Sequence, residues 1–205
     1  MNGDILFCVV VGYLCGSIPF GLILTKMAGG GDIRTIGSGN IGATNVLRTG
    51  RKSLAAATLI LDAAKGAFSI FIVSLFLSKA VLADAYVGLV GVRAVSGHCY
   101  PVWLKFSGGK GVATGLAVIT MLSPISGILF IATWILIAYI MKYSSLAALT
   151  AFASSSISAL ILENNEISIA IIFITLLAFF RHTENIKRLL SGEESRISTR
   201  PKSKK

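Results

Sequence analysis

Charge is scarce in this sequence, and the scarcity excludes an ordinary soluble domain. Only 14% of the 205 residues are charged and 54% are hydrophobic, whereas a soluble domain has roughly 25% charged residues. Acidic residues are the rarest, nine against 19 Lys and Arg, so the net charge is +10. Long apolar runs fill most of the chain, and about 20 such residues make a helix that crosses a bilayer. The composition therefore indicates an all-α integral membrane protein.

Cysteine and histidine are also few, with three and two residues. Cys8 and Cys15 lie in one apolar segment and Cys99 lies on the side predicted to be reducing, so no disulfide is expected. His98 precedes Cys99, but one His and one Cys without a matching cluster do not form a metal site. We therefore expect no metal and no cofactor, and we interpret His98 as a hydrogen-bonding loop histidine.

Polar interruptions divide the apolar sequence into seven predicted transmembrane helices. Their ranges are 5–24, 53–77, 80–96, 112–122, 124–141, 145–162 and 167–180. The fourth has about half the length that a straight crossing needs, which leaves a re-entrant loop as the alternative. With seven crossings, however, every Lys and Arg outside the helix cores except Lys79 lies on one side, as the positive-inside rule requires. Seven crossings are therefore predicted.

This topology places the N-terminus outside and the C-terminus in the cytoplasm. It predicts one membrane domain over residues 1–190, followed by a basic, disordered tail over residues 191–205 that contacts anionic lipid and lies outside the site. Because the basic residues flank the helices on one side, membrane topology accounts for the net charge. No nucleic-acid partner is predicted, and no obligate protein partner is evident.

The first polar loop contains GSGNIGATN at residues 37–45, in which the glycines have the spacing G-x-G-x-x-G. A dinucleotide site with that spacing needs a strand and a βαβ unit around it, which the composition excludes. Glycine-rich backbone can instead direct its N–H groups at an anion. Asn40, Thr44, Asn45 and Arg48 then supply polar and cationic contacts. The alternative is that the glycines only make tight turns.

The second polar loop contains Gly108, Gly109, Lys110 and Gly111 directly before the fourth predicted helix. A P-loop would need glycine at Leu104 and Ser or Thr at Gly111, so ATP binding has no support. A phosphate at this loop would face a helix N-terminus. Backbone N–H groups around Gly108 and Gly109 are predicted to hold a phosphate, and simple turn formation is again the alternative.

Three motifs carry a resemblance to a known family. GSGNIGATNVLR, GHCYPVWLKFSGGKGVAT and RHTENIKRLLSGEE, in this order, resemble the signature motifs of the bacterial acyl-phosphate:glycerol-3-phosphate acyltransferases, the PlsY family. The resemblance covers essentially the whole chain. It implies a seven-helix inner-membrane enzyme that moves a fatty acyl group from acyl phosphate to the sn-1 hydroxyl of glycerol 3-phosphate. Lysophosphatidic acid and phosphate are the implied products, and the implied site faces the cytoplasm among membrane lipids.

The resemblance also implies roles for individual residues. It assigns Ser38, His182 and Asn185 to catalysis and Arg48 and Lys110 to phosphate binding, mainly of glycerol 3-phosphate. Ser38 is interpreted as orienting the acceptor, because no Ser-His-Asp pattern supports its acylation. The general base is either His182 or a phosphate oxygen of the substrate, and both alternatives stay open.

The residues themselves leave open an alternative function and the role of one charged pair. A transporter of a phosphate-bearing anion is the alternative function, but transporters usually bind near the bilayer midplane, whereas the polar residues here crowd one surface. Asp62 and Lys65, three residues apart in the second predicted helix, are expected to pair. Such a pair either stabilises packing or belongs to a site.

Overall fold

The computed structural model describes residues 2–77 and 80–197, and these residues are helical without a strand. Predictions for Lys79 and residues 198–205 lie outside the described residues. The helices are α1 (Asn2–Ser17), α2 (Phe20–Met27), α3 (Ala43–Leu47), α4 (Lys52–Leu77), α5 (Ala83–Cys99), α6 (Val112–Leu122), α7 (Pro124–Met141), α8 (Ser144–Leu162), α9 (Asn165–Arg181) and α10 (Thr183–Leu190). Short 3₁₀ turns lie at Ile33–Thr35 and Val102–Leu104.

The helices agree with a protein that crosses the membrane several times. Within the described residues, four stretches are long and apolar enough to cross: Asn2–Met27, which joins α1 and α2, then α4, α7 and α8. The α9–α10 pair, bent by 61°, makes a fifth if it is one span. Each predicted span coincides within a few residues with a helix or, for the first, a helix pair. Large apolar side chains such as Ile60, Phe76 and Ile161 are exposed on the outer surface, where lipid would cover them.

The first predicted helix is wrong in one respect, because the structure divides it into α1 and α2. Proline has no backbone N–H and cannot continue the hydrogen-bond ladder, and Pro19 lies at the break. The N–H groups of Leu22 and Ile23 start α2 on the Pro19 carbonyl. The Ile18 carbonyl accepts a hydrogen bond from Lys65 Nζ at 2.7 Å. A buried cation thus adds a second hydrogen bond to this carbonyl, which also accepts from the Phe20 N–H at 3.2 Å.

Close packing of α1 on α5 fixes the centre of the bundle. A Cβ on Gly16 would overlap Ala94 of α5, and one on Gly97 would overlap the Tyr13 carbonyl of α1. Helices in lipid gain van der Waals contact when small residues let their backbones approach. The position of α5 determines where its C-terminal end, and with it the second glycine loop, lies.

Two apolar clusters hold the two glycine loops. The larger includes Val90, Val118, Phe152 and Ile171 and lies among α5, α6, α8 and α9. The smaller lies beneath the first loop and consists of Leu22, Ile33, Ile41, Val46 and Ala55. The larger cluster extends to Cys99, directly before the second loop, and the smaller includes Ile33 and Ile41 of the first loop, so both loops are joined to buried apolar side chains.

Candidate functional site

Asn45 organises the first glycine loop. Its side chain is 1% exposed; Oδ1 accepts a hydrogen bond from Ser38 N at 2.9 Å, and Nδ2 donates to the carbonyls of Ile33, Ile36 and Asn40 at 3.0, 3.0 and 2.8 Å. Both amide atoms are therefore used by loop backbone. The sequence predicted Asn45 as a phosphate contact, whereas in the structure it shapes the loop, because an internal amide satisfies carbonyls that the irregular backbone leaves unpaired.

Glycine is required at Gly37 in this loop. Its φ is +58°, a conformation that side chains disfavour, and a Cβ there would overlap Asn45 Oδ1 and lie 2.8 Å from Arg48 Cδ. Arg48, which follows α3, thus passes directly over the loop. The side chains of Ser38 and Thr44 are exposed. The arrangement leaves one guanidinium and two hydroxyls on the outer side of the loop.

The second glycine loop is fastened to α5 and α9 by its backbone. The N–H groups of Gly108 and Gly109 donate to the carbonyls of Cys99 and His98 at 3.2 and 3.1 Å. Arg181 donates to the carbonyls of both glycines at 3.0 Å. The last turn of α5 thus occupies the N–H groups of Gly108 and Gly109 themselves, so the predicted phosphate at this loop would be held by neighbouring N–H groups.

Unused backbone donors lie one turn further along the chain. α6 begins at Val112 after Gly111, whose φ is +78° and whose Cβ would meet Val95 Cγ1 at 2.8 Å. The N–H groups in the first turn of an α-helix have no intrahelical acceptor. Such a helix end attracts anions. Lys110 immediately precedes the N-cap residue Gly111, so a cationic residue adjoins this helix end along the chain.

A hydrogen-bond chain joins the second and third motifs. Lys110 Nζ donates to Asn185 Oδ1, and Asn185 Nδ2 donates to Glu194 Oε1 at 2.7 Å. Glu194 also accepts from Ser145 Oγ and from Arg188 Nε, each at 2.7 Å. The structure thus brings the predicted residues Lys110 and Asn185 into contact, on a carboxylate that ties α8 and α10 together.

The chain beyond α10 reaches this site, in contrast to the predicted separate tail. The Glu194 side chain is 6% exposed, and the Ser195 hydroxyl accepts a hydrogen bond from Arg48 Nη2 at 2.8 Å. Hydrogen bonds from Ser145, Asn185 and Arg188 outweigh the effect of burial and lower the pKa of Glu194. Hydrophobic periodicity could not predict this contact, because Glu194 and Ser195 are polar and are held by hydrogen bonds and charge rather than by apolar packing.

The ammonium of Lys110 lies in a predominantly cationic setting. Burial lowers its pKa to about 8; Glu194 raises it, and Arg188, Arg181 and Arg48 lower it further. Lys110 therefore remains mostly protonated at neutral pH. Because several cations surround it with one nearby carboxylate, a bound anion would relieve repulsion among them.

His182 is held as a neutral imidazole at the end of α9. It is 2% exposed, and its Nδ1 lies 2.7 Å from the Ala178 carbonyl. A carbonyl only accepts, so Nδ1 carries the hydrogen and Nε2 presents a lone pair. Burial lowers the pKa of His182 to about 4, with the Ala178 bond raising it and Lys110 lowering it.

Ser38 and His182 are not joined as a nucleophile and its base. Within the described residues, no hydrogen bond links the two, and the His182 Nδ1 contact is a carbonyl and not a carboxylate. The geometry therefore lacks the pairing that activates a serine nucleophile, in agreement with the preference for an orienting Ser38.

Sequence reasoning missed several residues that build the site. They are Ser145, Arg181, Glu194 and Ser195. Ser145 and Ser195 lie outside the three motifs, but Arg181 and Glu194 had a signal: they open and close the third motif, and Glu194 is one of only nine acidic residues.

Asp62, Lys65 and His98 form one buried group. Lys65 Nζ lies 2.8 Å from Asp62 Oδ1, so the predicted pair is confirmed. His98 is placed differently from its prediction: it lies in the last turn of α5, 4% exposed, with Nδ1 3.7 Å from Asp62 Oδ1. It is a helix residue because α5 extends three residues beyond the predicted end.

Comparison with known proteins identifies the family. The model of the family "Glycerol-3-phosphate acyltransferase" matches residues 6–192. A glycerol-3-phosphate acyltransferase of Sinorhizobium medicae is 53% identical over 192 residues, which are 94% of this chain and 92% of the relative. One of Rhodospirillum rubrum is 50% identical over 198 residues, 95% of this chain and 92% of the relative.

Solved structures show the same architecture. A crystal structure of PlsY (YgiH), an integral membrane glycerol 3-phosphate acyltransferase, in its glycerol 3-phosphate form is similar with a TM-score of 0.87 and 37% identity, over 95% of this chain and 96% of that one. The lysophosphatidic acid form of PlsY is similar with a TM-score of 0.86, 36% identity and the same coverage. This chain therefore belongs to the glycerol-3-phosphate acyltransferase family.

Proposed function

We propose that this protein transfers a fatty acyl group from acyl phosphate to the sn-1 hydroxyl of glycerol 3-phosphate at the cytoplasmic face of a bacterial inner membrane. The observation that carries the proposal is the linkage of Lys110 to Asn185 and Glu194 beside Arg48. This cationic cluster lies in a fold similar to that of the glycerol 3-phosphate form of PlsY. Products would be lysophosphatidic acid and phosphate.

The phosphate of glycerol 3-phosphate is bound by Arg48, Lys110 and the N-terminus of α6. Arg48 offers a planar fork, and its present partner, the neutral Ser195 hydroxyl, is a weaker acceptor than a phosphate oxygen. Lys110 supplies a compact charge next to the free N–H groups of α6. Gly108, Gly109 and Gly111 contribute by allowing the loop to pack closely on α5, which places Lys110.

The second phosphate, that of the acyl donor, lies toward the first glycine loop. Asn40, Thr44 and Ser38 line the polar side of that loop, and Asn45 holds its shape. The acyl chain enters laterally from the bilayer, where each buried CH₂ contributes about 0.8 kcal/mol. The phosphates of the two substrates thus lie close together at the ends of helices, while the acyl chain of the donor stays in the bilayer.

The reaction needs no enzyme nucleophile. The sn-1 oxygen attacks the acyl carbonyl carbon, the bond from that carbon to the phosphate oxygen breaks, and the hydroxyl proton passes to a phosphate oxygen. A phosphate has a second pKa of about 6, above the value of about 4 of His182, so the phosphate is the stronger base. His182 Nε2 and Ser38 orient the hydroxyl by hydrogen bonds, and Asn185 holds Lys110.

Seven crossings put these parts on one side. The site is built where α4 begins, α5 ends, α6 begins, α8 begins and α9 ends, and these termini share one end when the chain crosses at each predicted span. The proposed orientation is therefore a cytoplasmic C-terminus and an external N-terminus. The concentration of polar contacts at one end, away from the midplane, favours an enzyme over a transporter of a phosphate-bearing anion.

An acyl-transfer assay on purified protein tests the proposal. Glycerol 3-phosphate is offered with acyl phosphate, acyl-CoA or acyl carrier protein in separate reactions, without added metal or nucleotide. We expect lysophosphatidic acid only from acyl phosphate. Robust turnover with acyl-CoA alone would reject the proposed donor, and uptake of glycerol 3-phosphate into vesicles without any acyl transfer would support the transporter.

A further inference from the structure

Asp62, Lys65 and His98 form a buried cluster that the proposed reaction does not use. Asp62 Oδ1 lies 2.8 Å from Lys65 Nζ and 3.7 Å from His98 Nδ1, and the three side chains are 3–4% exposed. Charged side chains inside a membrane protein are costly to bury and commonly serve a site. The cluster sits where α4, α5 and α6 meet, since Thr114 Oγ1 of α6 also donates to the Asp62 carbonyl at 2.8 Å.

His98 connects this cluster to the second glycine loop by two contacts. Its carbonyl accepts the Gly109 N–H at 3.1 Å. Its imidazole lies against Gly109 so closely that a Cβ there would overlap Nε2 and lie 2.9 Å from Cε1. The ring is thus the surface on which Gly109 rests, and Lys110 is the next residue.

Lys65 connects the same cluster to the break between α1 and α2. Its Nζ donates to the Ile18 carbonyl at 2.7 Å and lies 5.9 Å from the centre of the Phe20 ring. A buried ammonium has three N–H donors that need acceptors, and the Ile18 carbonyl supplies one beside the Asp62 carboxylate. Lys65 Nζ thus lies between the Ile18 carbonyl and Asp62 Oδ1, and the same carboxylate oxygen faces His98 Nδ1 at 3.7 Å, where it acts on the imidazole by its charge.

We propose that Asp62 and Lys65 orient the His98 imidazole, which supports Gly109 and thereby directs Lys110 at the phosphate of glycerol 3-phosphate. None of the three touches substrate, so all three are positioning residues. The inference rests on the proposed phosphate role of Lys110. It explains how the second glycine loop, in which the N–H groups of Gly108 and Gly109 bond to α5, holds the Lys110 ammonium group in a defined place.

The first arm of the test measures His98→Gln and Asp62→Asn, two changes that keep polarity and approximate size. We expect the KM for glycerol 3-phosphate to rise about five- to thirtyfold in His98→Gln, with kcat changed less than about threefold, since a misplaced cation weakens binding of the anion. Asp62→Asn should shift KM in the same direction. Ser69→Ala is the matched control, because Ser69 is buried on the same helix and bonds only the Gly66 carbonyl.

The second arm asks whether the effect passes through Lys110. Dissociation constants for glycerol 3-phosphate are measured by calorimetry for Lys110→Ala, His98→Gln and the double variant, with unfolding temperatures for each. Residues that act through one group are not additive, so His98→Gln should add nothing to Lys110→Ala. Full additivity, an unchanged KM, or a loss that only follows the unfolding temperature would overturn the inference. If His98→Gln does not fold, Asp62→Asn takes its place in the same cycle.

The two proposals fail in different ways. If Lys110→Ala leaves binding unchanged, the phosphate assignment itself is wrong. If Lys110→Ala weakens binding while the His98 and Asp62 variants match Ser69→Ala, the assignment stands and only the positioning role is rejected.

Discussion

At the scale of single residues, the site depends on how burial sets the charge of two groups. Lys110 keeps its proton near neutral pH although burial and three arginines lower its pKa to about 8. His182 loses its proton, since burial and Lys110 lower its pKa to about 4. The cation is therefore available to bind a phosphate, and the imidazole is available to accept a hydrogen bond. This division of roles leads to three predictions.

Lys110→Ala should raise the KM for glycerol 3-phosphate by about ten- to a hundredfold. Losing a hydrogen bond to a charged group is worth about 1.5–3 kcal/mol, and about 1.4 kcal/mol corresponds to one decade. Steady-state kinetics at saturating acyl phosphate measure the change. An unaltered KM would show that the phosphate lies elsewhere.

Binding of glycerol 3-phosphate should weaken as the pH rises above about 8. In the empty site Lys110 releases its proton through that range, whereas a bound dianion favours the protonated form and so raises its pKa. Binding must then take up a proton, and log(kcat/KM) should fall with a slope approaching −1. Lys110→Arg, which stays protonated, should lack this decline. A profile that is the same for both forms would contradict the role of Lys110.

His182→Asn should keep kcat within about tenfold of the unchanged protein. An asparagine still offers hydrogen-bonding atoms, so it can orient the acceptor hydroxyl, whereas loss of a general base typically costs about 10²–10⁴-fold. Single-turnover rates at saturating substrates distinguish the two. A loss of a thousandfold with KM unaltered would make His182 the base.

At the scale of elements, the second glycine loop is positioned by what it packs against. Its two N–H groups bond to the end of α5, its carbonyls bond Arg181 of α9, and it ends at the start of α6. The loop is therefore fixed by hydrogen bonds to α5 and α9 and by its junction with α6, and the N–H groups of Gly108 and Gly109 do not point at a ligand. Adding a single methyl group where this loop contacts the α5 backbone should therefore displace Lys110.

Gly108→Ala should abolish most binding of glycerol 3-phosphate. A Cβ there would overlap the His98 carbonyl and lie 2.8 Å from the Cys99 carbonyl, and backbone at the end of a helix cannot move aside as a side chain can. Displacement of the loop moves Lys110. The measurement is the KM and the unfolding temperature beside Gly3→Ala, a control whose Cβ meets nothing within 4 Å. Wild-type kinetics in Gly108→Ala would show that the loop is not fastened in this way.

At the scale of the whole molecule, all parts of the site must share one side of the membrane. Single cysteines at Thr35, Ser107 and Ser191, all exposed, should be labelled from the cytoplasm by an impermeant maleimide in a background without native cysteines. A cysteine at Glu166, at the opposite end of α9, should be labelled from outside. External labelling of any of the first three would reject the shared cytoplasmic site and, with it, seven crossings.

The class of the protein and its helices follow from the sequence, and the three motifs supply the candidate site residues. Apolar runs of membrane length specify helices because backbone polar groups in lipid must be satisfied within each segment. The motif residues Arg48, Lys110, His182 and Asn185 were predicted as site residues because the three motifs resemble those of a known family, and their side chains suit phosphate binding and hydrogen bonding to a hydroxyl. These properties are local, so a linear pattern records them.

Which of these groups are free to bind a ligand depends on how the helices and loops pack. Asn45 and the N–H groups of Gly108 and Gly109 have the chemistry of phosphate ligands, but backbone groups that the fold brings beside them already occupy them. The position of Glu194 also depends on packing. Its buried carboxylate is stabilised by the Ser145 hydroxyl of α8 and the Arg188 guanidinium of α10. A donor or acceptor that already has a partner inside the protein is not available to a ligand. Which partner it has depends on how the loops and helices pack, and the spacing of motif residues along the chain does not record that.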